Sequence, residues 1–298
     1  MRHFMKTPLI LIFFVLNTFL LNAQISKFVL IDGIDKTPIR YANIKSQNSD
    51  YGTSSDSLGN FLFEKQSQVL INAVGYEKIS LDLMQKNSNI ELFPKEKLLQ
   101  EVILFKRKNQ NEILLDEFKA SKINQYYGLS ATQNSSWIIG KFFENKSYKN
   151  KFVKNIKILT NSMVENSIFN VRIYSVDNYG NPMNELYNEN IIGIAKKGKH
   201  KTNVDLSFTN VIIPENGIFI AVDWIKNQKN SYEYKHTMKN SSEKLLGKSY
   251  SPSFGSILSQ DENKTKIFRG NNWQPAIKDM TKNTNSYCIL AMELTLTD

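Results

Sequence analysis

Few side chains in this 298-residue sequence are of the types that make or break bonds, and fewer still are spaced to do so. There is one cysteine, Cys288, and there are three histidines, His3, His200 and His236. Zinc chemistry needs His and Glu ligands a few residues apart. His200 is followed by Lys201, Thr202 and Asn203, and His236 by Thr237, Met238 and Lys239, so no ligand pair forms. No Gly-x-Ser-x-Gly elbow and no nucleophile–base pair is visible. Asp205 and Asp223 lie in strand-like segments, but a paired-carboxylate mechanism needs a set separation that spacing in sequence does not supply. Cys288 sits on the apolar face of the last strand-like run, which suits a packed hydrophobe better than a nucleophile. These residues therefore assign no catalytic residue, no metal and no cofactor.

Two groups remain that suit binding. Tyr232, Tyr234 and His236 alternate, so on a strand they share one face. Aromatic rings on a sheet face stack on sugar rings, and this row is the candidate ligand contact; ordinary half-buried packing is the competing reading. Trp137 and Trp273 pose the same choice, whereas Trp224, inside the most apolar run, belongs to a core. Lys196, Lys197, Lys199 and Lys201, with His200 among them, form a basic tip and the candidate anion contact. Such a tip attracts phosphate in a salt-dependent way, or simply keeps a hairpin solvated.

The elements that must position these groups begin after a leader. Residues 1–23 carry Arg2 and Lys6, then an apolar run from Pro8 to Leu21 broken only by Asn17 and Thr18, then Asn22-Ala23. That order is a secretory signal peptide, and about 14 apolar residues fall short of the roughly 20 that span a bilayer. The alternative, an uncleaved anchor, is disfavoured on that length. No second long apolar segment follows, so no transmembrane segment is expected once the signal is cleaved. The whole chain has a formal charge of +10, which is too moderate and too dispersed to argue for nucleic acid. About 275 residues remain after the leader, enough for two domains.

In residues 24–105, Phe28–Ile31, Tyr41–Lys45, Phe61–Phe63, Val69–Ala73 and Ile79–Leu83 read as short strands separated by Gly, Asp, Asn and Ser. Asp56-Ser57-Leu58-Gly59-Asn60 has turn chemistry, and Gly33, Gly52, Gly59 and Gly75 serve turn geometry. Asp32 and Asp56 supply too few oxygens for a calcium loop. Five ordered signatures carry a resemblance: Asp32-Gly33 with Thr37–Ile44; Gly52–Asp56; Gly59-Asn60-Phe61; Val74–Glu77; and Leu99–Val102. The series resembles the carboxypeptidase-like regulatory domain, which implies a seven-stranded, transthyretin-like sandwich without catalytic residues. Arg40 stands where Gly or Glu is common in that family, and Ser55 where Thr is. In Gram-negative envelopes such domains precede TonB-dependent receptors or sit on smaller exported proteins. The receptor is excluded here, because about 190 further residues cannot supply a plug and a barrel of 22 strands.

Residues 106–127 read as a joint. Lys106–Asn111 is a polar linker, and the Leu114-to-Phe118 step predicts a short amphipathic helix over Glu112–Ile123. In residues 128–298 the period-two pattern returns. Phe169, Val171 and Ile173 share a face opposite Asn170 and Arg172. Ile218–Ile225 is apolar except for Asp223, as in a central strand covered on both sides. The expectation is a larger, jelly-roll-like β-sandwich. The stretches Phe169–Tyr174, Glu189–Ile192, Val204–Ser207 and Ile218–Ile225 resemble the β-rich region that follows the regulatory domain in many exported bacterial proteins. The expected protein is therefore all-β and non-enzymatic, exported to the periplasm, outer membrane or cell surface of a Gram-negative bacterium, with peripheral outer-membrane association open to it. It would be a binding module for an envelope protein, or alternatively a carbohydrate-binding sandwich that captures glycan. An exported hydrolase is the third reading and lacks a visible motif.

Overall fold

The computed structural model describes residues 25–49, 51–95, 107–130, 138–146, 148, 150–237, 244–269, 272–279 and 285–298, with the side chains of Ser130 and His236 left aside. The leader, the Leu99–Val102 signature, Lys106 and Trp137 lie outside the described residues. Among the described residues the chain is all-β, with no helix of seven residues or more, and no helix is long and apolar enough to cross a membrane.

Among the described residues the first module has seven strands: β1 (Ile25–Asp32), β2 (Asn43–Ser46), β3 (Gly52–Ser54), β4 (Asn60–Glu64), β5 (Gln68–Asn72), β6 (Ile79–Asp82) and β7 (Asn89–Leu92). They form two sheets, ordered β4-β1-β7 and β3-β2-β5-β6. Alternation decides what faces inward. Phe28, Leu30, Phe61 and Phe63 are buried in one shared core, while Leu62 between the last two is exposed. Two strands are shorter than the pattern suggests. The expected Tyr41–Lys45 strand starts at Asn43 because Tyr41 adopts φ 57°. The last residue of Ile79–Leu83 leaves the sheet, since the Asp82 carboxylate accepts the Met84 N–H at 2.9 Å and opens a 3-10 turn. The Asp56 turn forms as read: its carboxylate accepts the N–H groups of Leu58 and Asn60, both at 2.8 Å, and Gly59 has φ 74°. Gly52 lies within β3 rather than in a turn.

Fifteen strands follow: β8 (Glu112–Leu115), β9 (Gln125–Ser130), β10 (Ile138–Phe143), β11 (Phe152–Ser162), β12 (Ser167–Val176), β13 (Pro182–Glu185), β14 (Ile191–Ala195), β15 (Gly198–Asp205), β16 (Ile218–Trp224), β17 (Ser231–Thr237), β18 (Lys244–Ser259), β19 (Thr265–Arg269), β20 (Asn272–Pro275), β21 (Tyr287–Leu290) and β22 (Met292–Thr297). A seven-stranded sheet runs β13-β12-β16-β10-β19-β20, with β14 also on β12. An eight-stranded sheet runs β17-β18-β11-β22-β8, with β15 on β11 and β9 and β21 on β18. Their inner faces close one core, in which Ile220, Val222 and Trp224 of β16 meet Phe254 and Leu294 from the opposite sheet.

The predicted helix over Glu112–Ile123 is absent; β8 occupies its start and pairs antiparallel with β22. Period two prevails over the helical step because Ile113 and Leu115 pack against the core while Leu114 is 44% exposed. The predicted linker is likewise part of this sandwich. Arg107 donates to the carbonyl oxygens of Ser207 and Val153, at 2.5 and 3.1 Å. The N–H groups of Gln110 and Asn111 bond the Asp298 carboxylate at 2.8 and 3.0 Å.

All seven residues of β16 are buried. Its second face carries Phe219 and Ala221, which pack with Tyr174, Trp273 and Phe268 on the outside of the sheet. Gly140 makes room for this cluster: a Cβ there would lie 2.3 Å from Phe219 Cε1 and 2.8 Å from Ala221 Cα. Gly140→Ala is therefore expected to destabilise by about 1–3 kcal/mol, as overpacking does. It should lower the urea midpoint at unchanged m, and an unmoved midpoint would contradict this packing.

Candidate functional site

The alternating tyrosines do share a face. Asn230 fixes where their strand begins: fully buried, it bonds both backbone groups of Ile168 and the carbonyl of Ile225, at 2.7 to 2.9 Å. From there β17 pairs with the first half of β18 as a two-stranded ribbon, and β17 is the edge of its sheet. The Tyr232 and Tyr234 rings are 6.3 Å apart, tilted by 48°. Tyr234 is 37% exposed and stands opposite Gly247, where a Cβ would lie 2.7 Å from its Cζ. The ring lies over Gly247, where the missing Cβ lets it approach the partner strand. His236 occupies the next same-face position on β17; its side chain lies outside the described residues.

The basic tip divides. The stretch read as a turn, Lys196-Lys197-Gly198-Lys199, ends inside β15, and its lysines take separate roles. Lys199 Nζ donates to the Ile123 carbonyl at 2.5 Å. Lys201 Nζ bonds Glu293 Oε2 at 2.9 Å and sits 4.3 Å above the Phe118 ring. Both are on the outer face of the eight-stranded sheet, because residues two apart on a strand point the same way. His200 points elsewhere and bonds the Lys197 carbonyl at 2.9 Å. Lys196 and Lys197 remain exposed at the turn. All four lysines are exposed, and two of them, Lys199 and Lys201, also bond groups on the sheet.

Trp273 packs edge-on against Tyr174, Phe219 and Phe268, so its ring belongs to the outer cluster. Trp224 is 1% exposed, with Nε1 bonded to the Pro252 carbonyl at 2.7 Å. Asp205 and Asp223 are on different sheets and make no pair. Asp205 caps the turn at Ser207, with a 2.9 Å bond from that N–H. Burial pushes the Cys288 thiol up, with the Asp279 charge adding to it, the reverse of thiolate activation.

The densest polar cluster was not assembled by sequence reasoning. Asn43 of β2 donates to Asp223 Oδ2 at 2.9 Å, Arg172 Nη2 bonds the same oxygen at 3.0 Å, and Arg172 Nη1 bonds Glu185 Oε1 at 2.8 Å. The Arg172 and Asp223 side chains are 3% and 2% exposed. The first module covers this part of the outer face. Its Ser54 exchanges hydrogen bonds with the Lys226 backbone, and Asn190 donates to the Arg40 carbonyl at 3.1 Å. Burial opposes the Arg172 charge, but Tyr174, Asp223 and Glu185 outweigh it and hold the guanidinium protonated. At Asp223 burial pushes the carboxyl up, against Arg172 and Asn43. The signal in the sequence was the lone charge of an otherwise apolar strand. Chemically the cluster is a strut between modules, closed to solvent.

No family model and no curated sequence matches the chain. Among solved structures it is similar to Cwp84, a clostridial cysteine protease, after propeptide cleavage. The TM-score is 0.40 at 10% identity, over 91% of this chain and 70% of that one. The cysteine protease and lectin-like domains of Cwp84, a surface layer associated protein of Clostridium difficile, give 0.36 at 10% identity, over 94% of this chain and 59% of that one. A subviral particle of infectious bursal disease virus gives 0.24 at 9% identity, over 92% and 64%. At scores this low none carries an argument about this chain.

Proposed function

We propose that this chain is a non-enzymatic, exported binding component of a Gram-negative envelope, and that the β17–β18 ribbon is its contact element. The observation that carries the reading is the Tyr232–Tyr234 pair on an edge strand, with Tyr234 exposed over Gly247. Buried ionisable groups elsewhere support it: Arg172, Asp223 and Glu293 are each held by counter-charges in structural pairs. Seven strands in two sheets support a carboxypeptidase-like regulatory domain as the first module, a platform rather than a catalyst.

Glycan is the partner class the tyrosines favour over a protein, since a ring lying over a glycine with an exposed outer side offers a flat face to a sugar. The test is retardation in gels containing soluble polysaccharides. Tyr232→Ala/Tyr234→Ala is expected to lose all retardation while unfolding at the wild-type midpoint. A wild-type chain that migrates freely across the whole panel, yet crosslinks to one envelope protein in cells, would replace glycan with that protein. A chain that does neither would refute the binding reading.

A further inference from the structure

We propose that Lys141 and Asp116 are the two ends of an intramolecular isopeptide cross-link, an amide from Lys141 Nζ to Asp116 Cγ that staples the second sandwich across its two sheets. Lys141 belongs to β10 in the seven-stranded sheet, and Asp116 follows β8 at the edge of the eight-stranded sheet. The lysine side chain crosses the core: it is 2% exposed, with Nζ 3.0 Å from Asp116 Oδ2 and 2.8 Å from the Met292 carbonyl. The Phe143 ring lies 5.2 Å from Nζ, so an aromatic wall screens the amine. Asp116 meets it from a left-handed turn at φ 55°, a conformation that Asp adopts more readily than most residues. A cavity of about 290 Å³ adjoins the carboxylate, lined in part by Phe142, Phe143, Asp261 and Lys264.

The chemistry needs no reagent beyond the pair. The amine end is buried while Asp116 is 32% exposed on the cavity side, and a proton passes along the 3.0 Å hydrogen bond from ammonium to carboxylate as the amine is freed. Burial pushes the Lys141 pKa down, with the Asp116 and Glu293 charges opposing, which favours the free amine. The Nζ lone pair then attacks Cγ. Lys264 Nζ, 3.7 Å from Oδ1, faces the oxygen that turns negative in the tetrahedral adduct. The Cγ–Oδ2 bond breaks as Oδ2 takes one proton from Nζ in addition to the one already received. One water leaves through the cavity, and one C–N bond replaces one C–O bond with no change of oxidation state. Such a staple has a place here, because a chain with one cysteine cannot form an internal disulfide.

The folded full chain, denatured and weighed intact, is expected to be lighter by one water than its Asp116→Ala variant after allowing for the substitution. A digest should yield one branched peptide joining the segments around residues 116 and 141, resistant to reductant. Lys141→Arg keeps a positive charge but offers no amine to condense, and should keep its full mass. If either variant fails to fold, the wild-type mass and digest decide alone. A folded wild-type chain that keeps the full mass on prolonged incubation overturns the proposal.

Discussion

Arg172→Ala is expected to lower the unfolding free energy by about 3–5 kcal/mol, the range for removing one partner of a buried ion pair. The reason is what it leaves behind. Asp223, 2% exposed, would lose the guanidinium and keep the hydrogen bond from Asn43, and Glu185 would keep the long 3.3 Å bond from Tyr174 OH. Arg172→Lys should recover little, since one ammonium cannot send separate nitrogens to Glu185 and Asp223 as the guanidinium fork does. Asn43→Ala should cost less, about 1–3 kcal/mol, because Asp223 keeps its charged partner. All three tryptophans lie in the second module, so urea unfolding followed by tryptophan fluorescence reads its loss directly. Proteolysis within residues 25–95 reports the first. Both should respond to Arg172→Ala if the cluster is the strut. A loss under about 1 kcal/mol would mean that the charges are solvated and the modules meet otherwise.

That strut also marks where the sequence stops being legible. Period-two runs predicted most strands because each sheet buries one face. Ile218–Ile225 was read as covered on both sides for the same reason, and β16 is buried throughout. What covers its outer face at Asp223 is a module about 180 residues earlier in the chain, as the hydrogen bond from Asn43 shows, and no local pattern encodes such a contact. The Glu112–Ile123 stretch failed differently. Ile113, Leu114, Leu115 and Phe118 fit a helix or a strand equally well. The choice was made by an open edge on β22 that only the folded sheet presents. Of the binding groups, the tyrosine row was legible because it is local to one strand. The partners of the lysines were not, because Lys199 and Lys201 meet Ile123 and Glu293, distant in sequence.

The same junction should set the alkaline stability of the protein. Lys226 follows β16, is 3% exposed, and has its pKa lowered to about 8, by burial first, with the Asp223 charge pulling the other way and Lys45 adding to the fall. In the unfolded chain a lysine titrates near its ordinary 10.5. Between these values the unfolded state binds more protons than the folded one, so stability rises with pH across that window. Two and a half units correspond to about 3 kcal/mol, most of it regained between pH 7 and 10. Lys78, also lowered by burial, acts in the same direction. The rise must end where the tyrosines ionise. Burial raises Tyr51, Tyr174 and Tyr250 above their ordinary 10, so there the unfolded state loses protons first and stability falls. Urea midpoints should therefore peak on the alkaline side of neutrality. Lys226→Met should raise the midpoint at pH 7 by the equivalent of about 2–3 kcal/mol and flatten the rise. If wild type and variant keep parallel pH profiles from 7 to 10, Lys226 is charged in the fold, and the junction is wetter than its burial implies.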